Sequence, residues 1–271
     1  MDDELKASCG VLLIARDEEK VIGASLESLK KQTLRPYIVV VDDGSEDETR
    51  NISSKYADFI VKLPSHKENW TGKPELTRVF NSGFQVLAQK DFNFIMVSGA
   101  DAVYPEKYIE NIVRRMLHDE VVLSSGIAEN EPSASAFPRG CGRVIEVDWF
   151  TDIGFKYPEN QGFEGYPIFK ALSQEKKIAV YPDLTFRLLR PTKTSARKLY
   201  SWGRGMKALA YWWPYALGRA IRYGLANPVG GYRMIEGYLS NVPQYGDLAD
   251  FVSQYQRRTL TKKIHRWLGF S

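Results

Sequence analysis

Three short polar clusters carry residue types from which a ligand site can be built: Arg16-Asp17-Glu18-Glu19, Asp42-Asp43-Gly44-Ser45 and Ser98-Gly99-Ala100-Asp101. Each follows a short apolar run. A carboxylate such as Asp43 at the end of such a run can accept hydrogen bonds from the imide or amino edge of a nucleobase or from ribose hydroxyls, and Gly44 permits a tight turn beside it. A carboxylate at Asp101 can hold Mg2+ or Mn2+, cations that prefer oxygen ligands and can neutralise a diphosphate leaving group. The plainer reading of the second cluster is a turn in which Ser45 caps a helix opening at Glu46.

The elements that must position these clusters follow from the apolar pattern. Short apolar runs between turn signals predict strands over 9–15, 37–41, 58–63, 93–98 and 121–126. Helices are predicted over 18–31, 46–56, 74–89 and 105–118; in the first, Val21, Ile22, Leu26 and Leu29 form one stripe. Strands alternating with helices imply an α/β fold, a doubly wound, Rossmann-like and mostly parallel sheet with right-handed crossovers. Ligands of such sheets lie beyond the carboxyl ends of the strands, where all three clusters fall. Residues 128–162, rich in Pro, Gly, Asn and Ser around Trp149 and Phe150, read as an irregular substrate-facing segment. A helix over 164–173 and a last strand over 177–181 complete the pattern. The expected organisation is a catalytic domain over 1–191 and a helical, basic, aromatic extension over 192–271.

The chain has 271 residues, 44% hydrophobic and 26% charged, ample for a core that needs no disulfide staples. Cys9 and Cys141 cannot form a framework of bridges and fit a reducing compartment. Asp2, Asp3 and Glu4 argue against a secretory signal, and no uninterrupted apolar run is long enough to span a bilayer. His66, His118 and His265 show no zinc-ligand spacing, and neither a nucleophile elbow nor a Walker loop occurs. The net charge of +4 hides an asymmetry: residues 187–271 hold 15 Lys or Arg against three acids, and the remainder 22 against 30. Asn51-Ile52-Ser53 and Asn69-Trp70-Thr71 match a glycosylation acceptor too short to carry weight without signs of export.

In order along the chain, Leu12-Leu13-Ile14-Ala15-Arg16-Asp17-Glu18-Glu19, Val39-Val40-Val41-Asp42-Asp43-Gly44-Ser45 with Asp47 and Thr49, Thr71-Gly72-Lys73 ahead of a helix containing Asn81, and Gly99-Ala100-Asp101 together resemble family 2 glycosyltransferases of the GT-A fold. The resemblance covers residues 9–191. It implies transfer of a sugar from a nucleotide diphosphate sugar, UDP- or GDP-linked, with inversion at the anomeric carbon. By motif match, Ile14, Ala15, Arg16 and Glu18 would line the nucleotide, Asp43 would bind its base, and Lys73 would approach the base or phosphates. Ala100 and Asp101 would face the donor, with Asp101 as ligand of a divalent cation, Mg2+ or Mn2+.

Two departures from the family pattern stand out. Its metal motif usually carries two acids, and Gly99 takes the place of the first, which weakens the cation site. Its Glu-Asp pair, whose Asp is the base toward the acceptor, is matched here by Glu164-Gly165. Glu164 is the candidate base in its stead, with Asp148 and Asp152 in reserve; otherwise Glu164 serves as a favourable charge at a helix N-terminus. A phosphate acceptor would need no base. The same two glycines motivate a rival reading, a non-catalytic nucleotide-sugar-binding or scaffold protein of this fold. A nucleotidyltransferase, releasing pyrophosphate, is a third.

The tail adds a second theme. Trp202, Met206, Leu209, Ala210, Trp213 and Leu217 recur at helical spacing near Arg204, Lys207, Arg219 and Arg222, and Leu260, Ile264, Trp267 and Leu268 repeat the pattern. Such stripes suit a helix in a membrane interface, placing the enzyme on the cytoplasmic face of an anionic membrane with a lipid-linked acceptor. Packing on the acidic catalytic domain is the alternative. No nucleic-acid-binding module is recognisable, so nucleic acid is not expected as a partner.

Overall fold

The computed structural model describes residues 5–129, 137–191 and 194–267, with side chains as far as Thr261. Among these residues the strands are β1 (Cys9–Ala15), β2 (Tyr37–Asp42), β3 (Phe59–Lys62), β4 (Phe94–Gly99), β5 (Ala102–Val103), β6 (Val121–Ala128), β7 (Arg143–Glu146) and β8 (Lys177–Leu188). The helices are α1 (Ile22–Lys30), α2 (Thr49–Ser53), α3 (Leu76–Leu87), α4 (Tyr108–Asp119), α5 (Val147–Asp152), α6 (Tyr166–Ser173), α7 (Ala196–Ala208), α8 (Trp213–Gly224), α9 (Pro228–Leu239) and α10 (Ala249–Trp267). They form two compact units. The first takes Met1–Asn69, Arg78–Tyr157 and Glu175–Thr192; the second takes Trp70–Thr77, Pro158–Gln174 and Lys193–Ser271.

The first unit contains the whole sheet, in the order β3-β2-β1-β4-β7-β6-β8-β5. Strands β3, β2, β1 and β4 run parallel, and β7 pairs antiparallel with both β4 and β6. The α/β expectation therefore holds, with a mixed far half. Continuous apolar runs became central strands because both faces are covered: Leu12 and Leu13 of β1 and Val39 and Val40 of β2 are fully buried. Register then fixes the functional edge. Ala15 pairs with Asp42 and Ile14 with Gly99, so β1, β2 and β4 end side by side.

Three local readings change. Residues 18–21 are not helical, and α1 begins only at Ile22; the backbone N–H groups of Glu18 and Glu19 bond Thr49 Oγ1 and Asp47 Oδ2. The segment expected to be irregular contains β7 and α5; a four-residue strand leaves little periodic signal and is recognisable only by its partners β4 and β6. Residues 130–136 of that segment lie outside the described residues. The last strand runs on to Leu188, where it pairs with β5.

The second unit is helical. The interface stripe expected from Trp202 to Leu217 does not exist as one surface: α7 ends at Ala208, Ala210 adopts φ +54°, and α8 starts anew at Trp213. Met206, Leu209 and Ala210 are buried. Of the later stripe, Leu260 is half-buried on α10, and the side chains of Ile264, Trp267 and Leu268 lie outside those described. Among the described residues no helix is long and apolar enough to cross a membrane.

Candidate active site

The loops after β1 and β2 are laced together by short polar side chains. Ser45 Oγ accepts from Asp17 N at 3.1 Å, Asp17 Oδ1 accepts from Glu46 N at 2.9 Å, and Thr49 Oγ1 accepts from Glu18 N at 2.6 Å. Asp47 receives N–H groups from both Glu19 and Thr49; burial works against its charge, and these hydrogen bonds outweigh it, holding its pKa below the usual range. Gly44 at φ +74° closes the turn, and a Cβ there would stand 2.5 Å from Ser65 Cα. The glycine is required twice over, by its dihedral and by the backbone beside it.

The paired aspartates divide their work. Asp42 is fully buried, accepts from Ser45 N at 3.0 Å and binds Arg50 Nε at 2.5 Å, so it anchors the turn. Asp43 is held by His66, whose Nε2 lies 3.1 Å from Asp43 Oδ1. Arg16 Nη1 in turn reaches His66 Nδ1 at 2.9 Å and the Glu68 carbonyl at 2.8 Å, while Nη2 donates to the His66 carbonyl. With Arg16 donating to Nδ1, a neutral ring carries its proton on Nε2 and donates it to Asp43. Burial raises the Asp43 pKa, and the His66 hydrogen bond and the nearby Arg16 charge oppose that only in part.

A second cluster lies at the end of β4. Arg190 Nη2 donates to Glu18 Oε1 at 2.8 Å, and its Nε donates to Asp101 Oδ2 at 3.2 Å. The β5–β8 ladder delivers it: Ala102 pairs with Leu188, and Leu189 N donates to the Asp101 carbonyl at 2.8 Å. The Glu18 hydrogen bond and the two carboxylate charges raise the Arg190 pKa further, against partial burial. At Gly99, a Cβ would sit 3.3 Å from both Asp101 Oδ1 and Cys141 Sγ, a tight place for a second acid.

Arg16, Glu18, Asp43 and Asp101 therefore gather on one sheet edge. Ile14 is half-buried there, whereas Ala15 and Ala100 turn their methyl groups into the core and can offer a ligand only backbone. Lys73 is half-buried on the 70–77 segment of the second unit. Glu164 is exposed in the same unit, just ahead of α6. The place beside it is filled: a Cβ on Gly165 would stand 2.8 Å from Leu209 Cδ1, so an aspartate at that position would have to displace a buried leucine. The reserve bases fail on position. Asp148 and Asp152 belong to α5, which follows β7, and the last residue of β7, Glu146, pairs with Phe94 at the start of β4, the edge opposite Asp101.

The residues do not fit a resident metal ion. Asp101 already carries a guanidinium, Gly99 supplies no second carboxylate, and among the described residues no group of three or more His, Cys, Asp or Glu side chains converges. His66 and Arg190 were not anticipated as site residues. Both follow strands that end at this edge, β3 and β8, and that position was the one signal available for them.

Comparison with known proteins decides the family. The sequence profile described as Glycosyl transferase family 2 matches residues 10–171. The chain belongs to family 2 of the glycosyltransferases. A 4,4'-diaponeurosporenoate glycosyltransferase of Staphylococcus aureus (strain bovine RF122 / ET3-1) is 34% identical over 67 residues, 24% of this chain and 18% of that enzyme. The match thus spans under a fifth of that relative. Among solved structures, the mannosyltransferase PcManGT from Pyrobaculum calidifontis, in complex with GDP-Man and Mn2+, superposes with a TM-score of 0.61 over 98% of this chain and 84% of that one, at 14% identity. S. aureus TarS 1-349 with UDP-GlcNAc gives 0.54 over 74% and 65%, at 18% identity. These likenesses show the GT-A fold.

Proposed function

We propose that this family 2 glycosyltransferase moves a sugar from a UDP- or GDP-sugar to a hydroxyl or phosphate acceptor, lipid-linked and presented at the cytoplasmic face of an anionic membrane, with inversion at the anomeric carbon. Residues 1–191 would form the catalytic domain and 192–271 the extension. The observation that carries the reading is the Arg16–His66–Asp43 chain at the end of β2, beside the Glu18–Arg190–Asp101 cluster at the end of β4. A buried carboxylate fixed by an imidazole suits the N–H edge of a base, and a guanidinium at the end of β4, on the other side of β1, suits a diphosphate.

In this reading the acceptor oxygen attacks the anomeric carbon as its bond to the diphosphate breaks, and the electron pair leaves with the phosphate oxygen. Arg190 stabilises that developing charge. Glu164 takes the proton of a hydroxyl acceptor; an ionised phosphate acceptor has none to give. Lys73, by the motif match, would bind the base or phosphates. The relatives named above with UDP-GlcNAc or GDP-Man support the donor class.

The test is calorimetric titration with UDP and GDP, followed by turnover on a panel of sugar nucleotides and lipid phosphates. Asp43→Ala is expected to weaken nucleotide binding roughly tenfold or more, the worth of one charge-assisted hydrogen bond. Equal binding by wild type and variant would refute the assignment. Nucleotide binding without turnover on any acceptor would favour the non-catalytic alternative, for which Leu209 in the place of the customary base is the supporting observation.

A further inference from the structure

Seven of the nine exposed large apolar side chains among the described residues lie within 27 residues of the second unit, on α8, α9 and the turn joining them. On α8 and just beyond it, Trp213, Leu217, Ile221 and Leu225 recur at steps of four and form one stripe; Leu225 is 83% exposed. Val229, Tyr232 and Leu239 continue the apolar surface on α9. The turn is well built: Asn227 Oδ1 caps α9 by accepting from Gly230 N at 2.9 Å, and Pro228 opens the helix. This is an ordered hairpin with its large apolar side chains outward.

Its inner face is the reverse. The buried residues are Ala216 and Ala220 on α8, and Gly230, Gly231, Met234 and Gly237 on α9. A Cβ on Gly231 would stand 2.6 Å from Gly224 Cα, and one on Gly237 would stand 2.1 Å from the Tyr200 carbonyl oxygen of α7. A helix pair stabilised by water buries its large apolar residues and exposes polar ones. Small residues at the contact with large apolar ones facing out is the arrangement of helices solvated by lipid.

We propose that the α8–α9 hairpin is the element that seats this protein in one leaflet of an anionic bilayer. This deepens the membrane reading above, and rests on it for the kind of partner. Each helix has twelve residues, about 18 Å at 1.5 Å per residue, against roughly 30 Å of hydrocarbon, so the hairpin lies in a leaflet and does not cross. Charge selects the occupant. The hairpin carries Arg219, Arg222 and Arg233 against one acid, Glu236, which is itself paired with Arg233 at 2.6 Å. Arg222 is exposed on α8 next to Ile221. An apolar stripe with a tryptophan at one end and the exposed Arg222 beside it, on a hairpin with two arginines in excess of the acid-paired one, matches acyl chains under acidic headgroups better than a second copy of the same basic surface.

The experiment is flotation of the full chain with vesicles of phosphatidylcholine alone and of phosphatidylcholine with phosphatidylglycerol, without donor or acceptor, so that failure of the transferase reading leaves the result untouched. Wild type is expected to float with the anionic vesicles. Ile221→Glu with Leu225→Glu, both at exposed positions, is expected to lower partitioning roughly a hundredfold while melting and nucleotide binding stay unchanged. Arg222→Glu is expected to lower it roughly tenfold. Leu117→Glu, at an exposed apolar position on α4 of the first unit, should float as wild type does. Chains brominated near the headgroup should quench tryptophan emission in wild type and less in Trp213→Phe. Wild type that stays unbound, a double variant that still floats, or an equal loss in Leu117→Glu overturns the proposal. So does a lipid-free dimer that the double variant dissolves.

Discussion

At the strand-end rim the polar and charged side chains hold one another: Arg50 on Asp42, His66 on Asp43, and Arg190 on both Glu18 and Asp101. On the α8–α9 hairpin, the exposed face from Trp213 to Leu239 carries seven large apolar side chains and a single exposed arginine. The two regions therefore accept partners by different physics. A ligand at the rim must exchange contacts that already exist, so its affinity is a difference between two hydrogen-bonded states and selects strongly by geometry. A partner on the hairpin displaces mainly water, so its affinity follows apolar area, with a contribution from the Arg222 charge, and depends little on exact geometry.

The comparison is broken most directly at Arg190. Arg190→Ala should lower kcat by about a hundredfold, the usual cost of removing one preorganised group aimed at developing charge. It also leaves Glu18 and Asp101 facing each other without their shared cation. Steady-state kinetics for wild type and variant, each with a chelator and with added Mn2+, read both consequences. Wild type is expected to turn over in the chelator, and the variant to regain activity when Mn2+ takes the freed carboxylates. A variant as active as wild type would show that the Glu18–Arg190–Asp101 cluster is only a structural clasp.

Two neighbouring residues sharpen the hairpin side. Ala220 is buried against α9, close to Gly231, and Ile221 beside it is 55% exposed. Ala220→Leu should destabilise the fold by about 1–3 kcal/mol through overpacking. Ile221→Gln should stay within about 0.5 kcal/mol of wild type, because a side chain more than half exposed gives up little packing. Thermal melts of the two variants in lipid-free buffer make the test. The reverse order would mean that the apolar stripe is covered by protein and not by solvent.

How much of this was legible before the structure depended on what each feature required. The first unit's strands were readable because burial on both faces writes a continuous apolar run, and the rim followed from the rule about strand ends. Asp43 and Asp101 were found in that way. His66 and Arg190 were not, since a single residue in a loop gains meaning only from partners distant in sequence, here 23 and 89 positions away. The tail was legible in composition but not in surface. Periodicity through Met206, Leu209 and Ala210 continued past a helix end that one left-handed residue, Ala210, imposes, and the exposed stripe begins after it. Small residues at 216, 220, 230 and 231 carry no hydropathy signal, although they decide which face points out.

The finest test concerns the cost of keeping Asp43 charged. Burial raises its pKa above the usual carboxylate value, and His66 and Arg16 offset that only in part. An acid whose folded pKa lies above its unfolded one binds a proton more tightly when folded. Its contribution to stability is then fully present below the unfolded pKa and is lost as pH rises through the folded pKa. Asp43→Asn, which cannot ionise, should therefore gain stability relative to wild type at neutral pH, and that advantage should shrink on acidification through the raised pKa. Nucleotide binding should move the opposite way, because a base N–H needs the ionised acceptor: wild-type affinity should fall as acid protonates Asp43, while the weaker affinity of the variant stays flat. Paired denaturant titrations and calorimetry between neutral and acid pH read both trends. If the two proteins keep a constant stability difference across that range, Asp43 is not under strain at the rim, and its place beside His66 has some other cause.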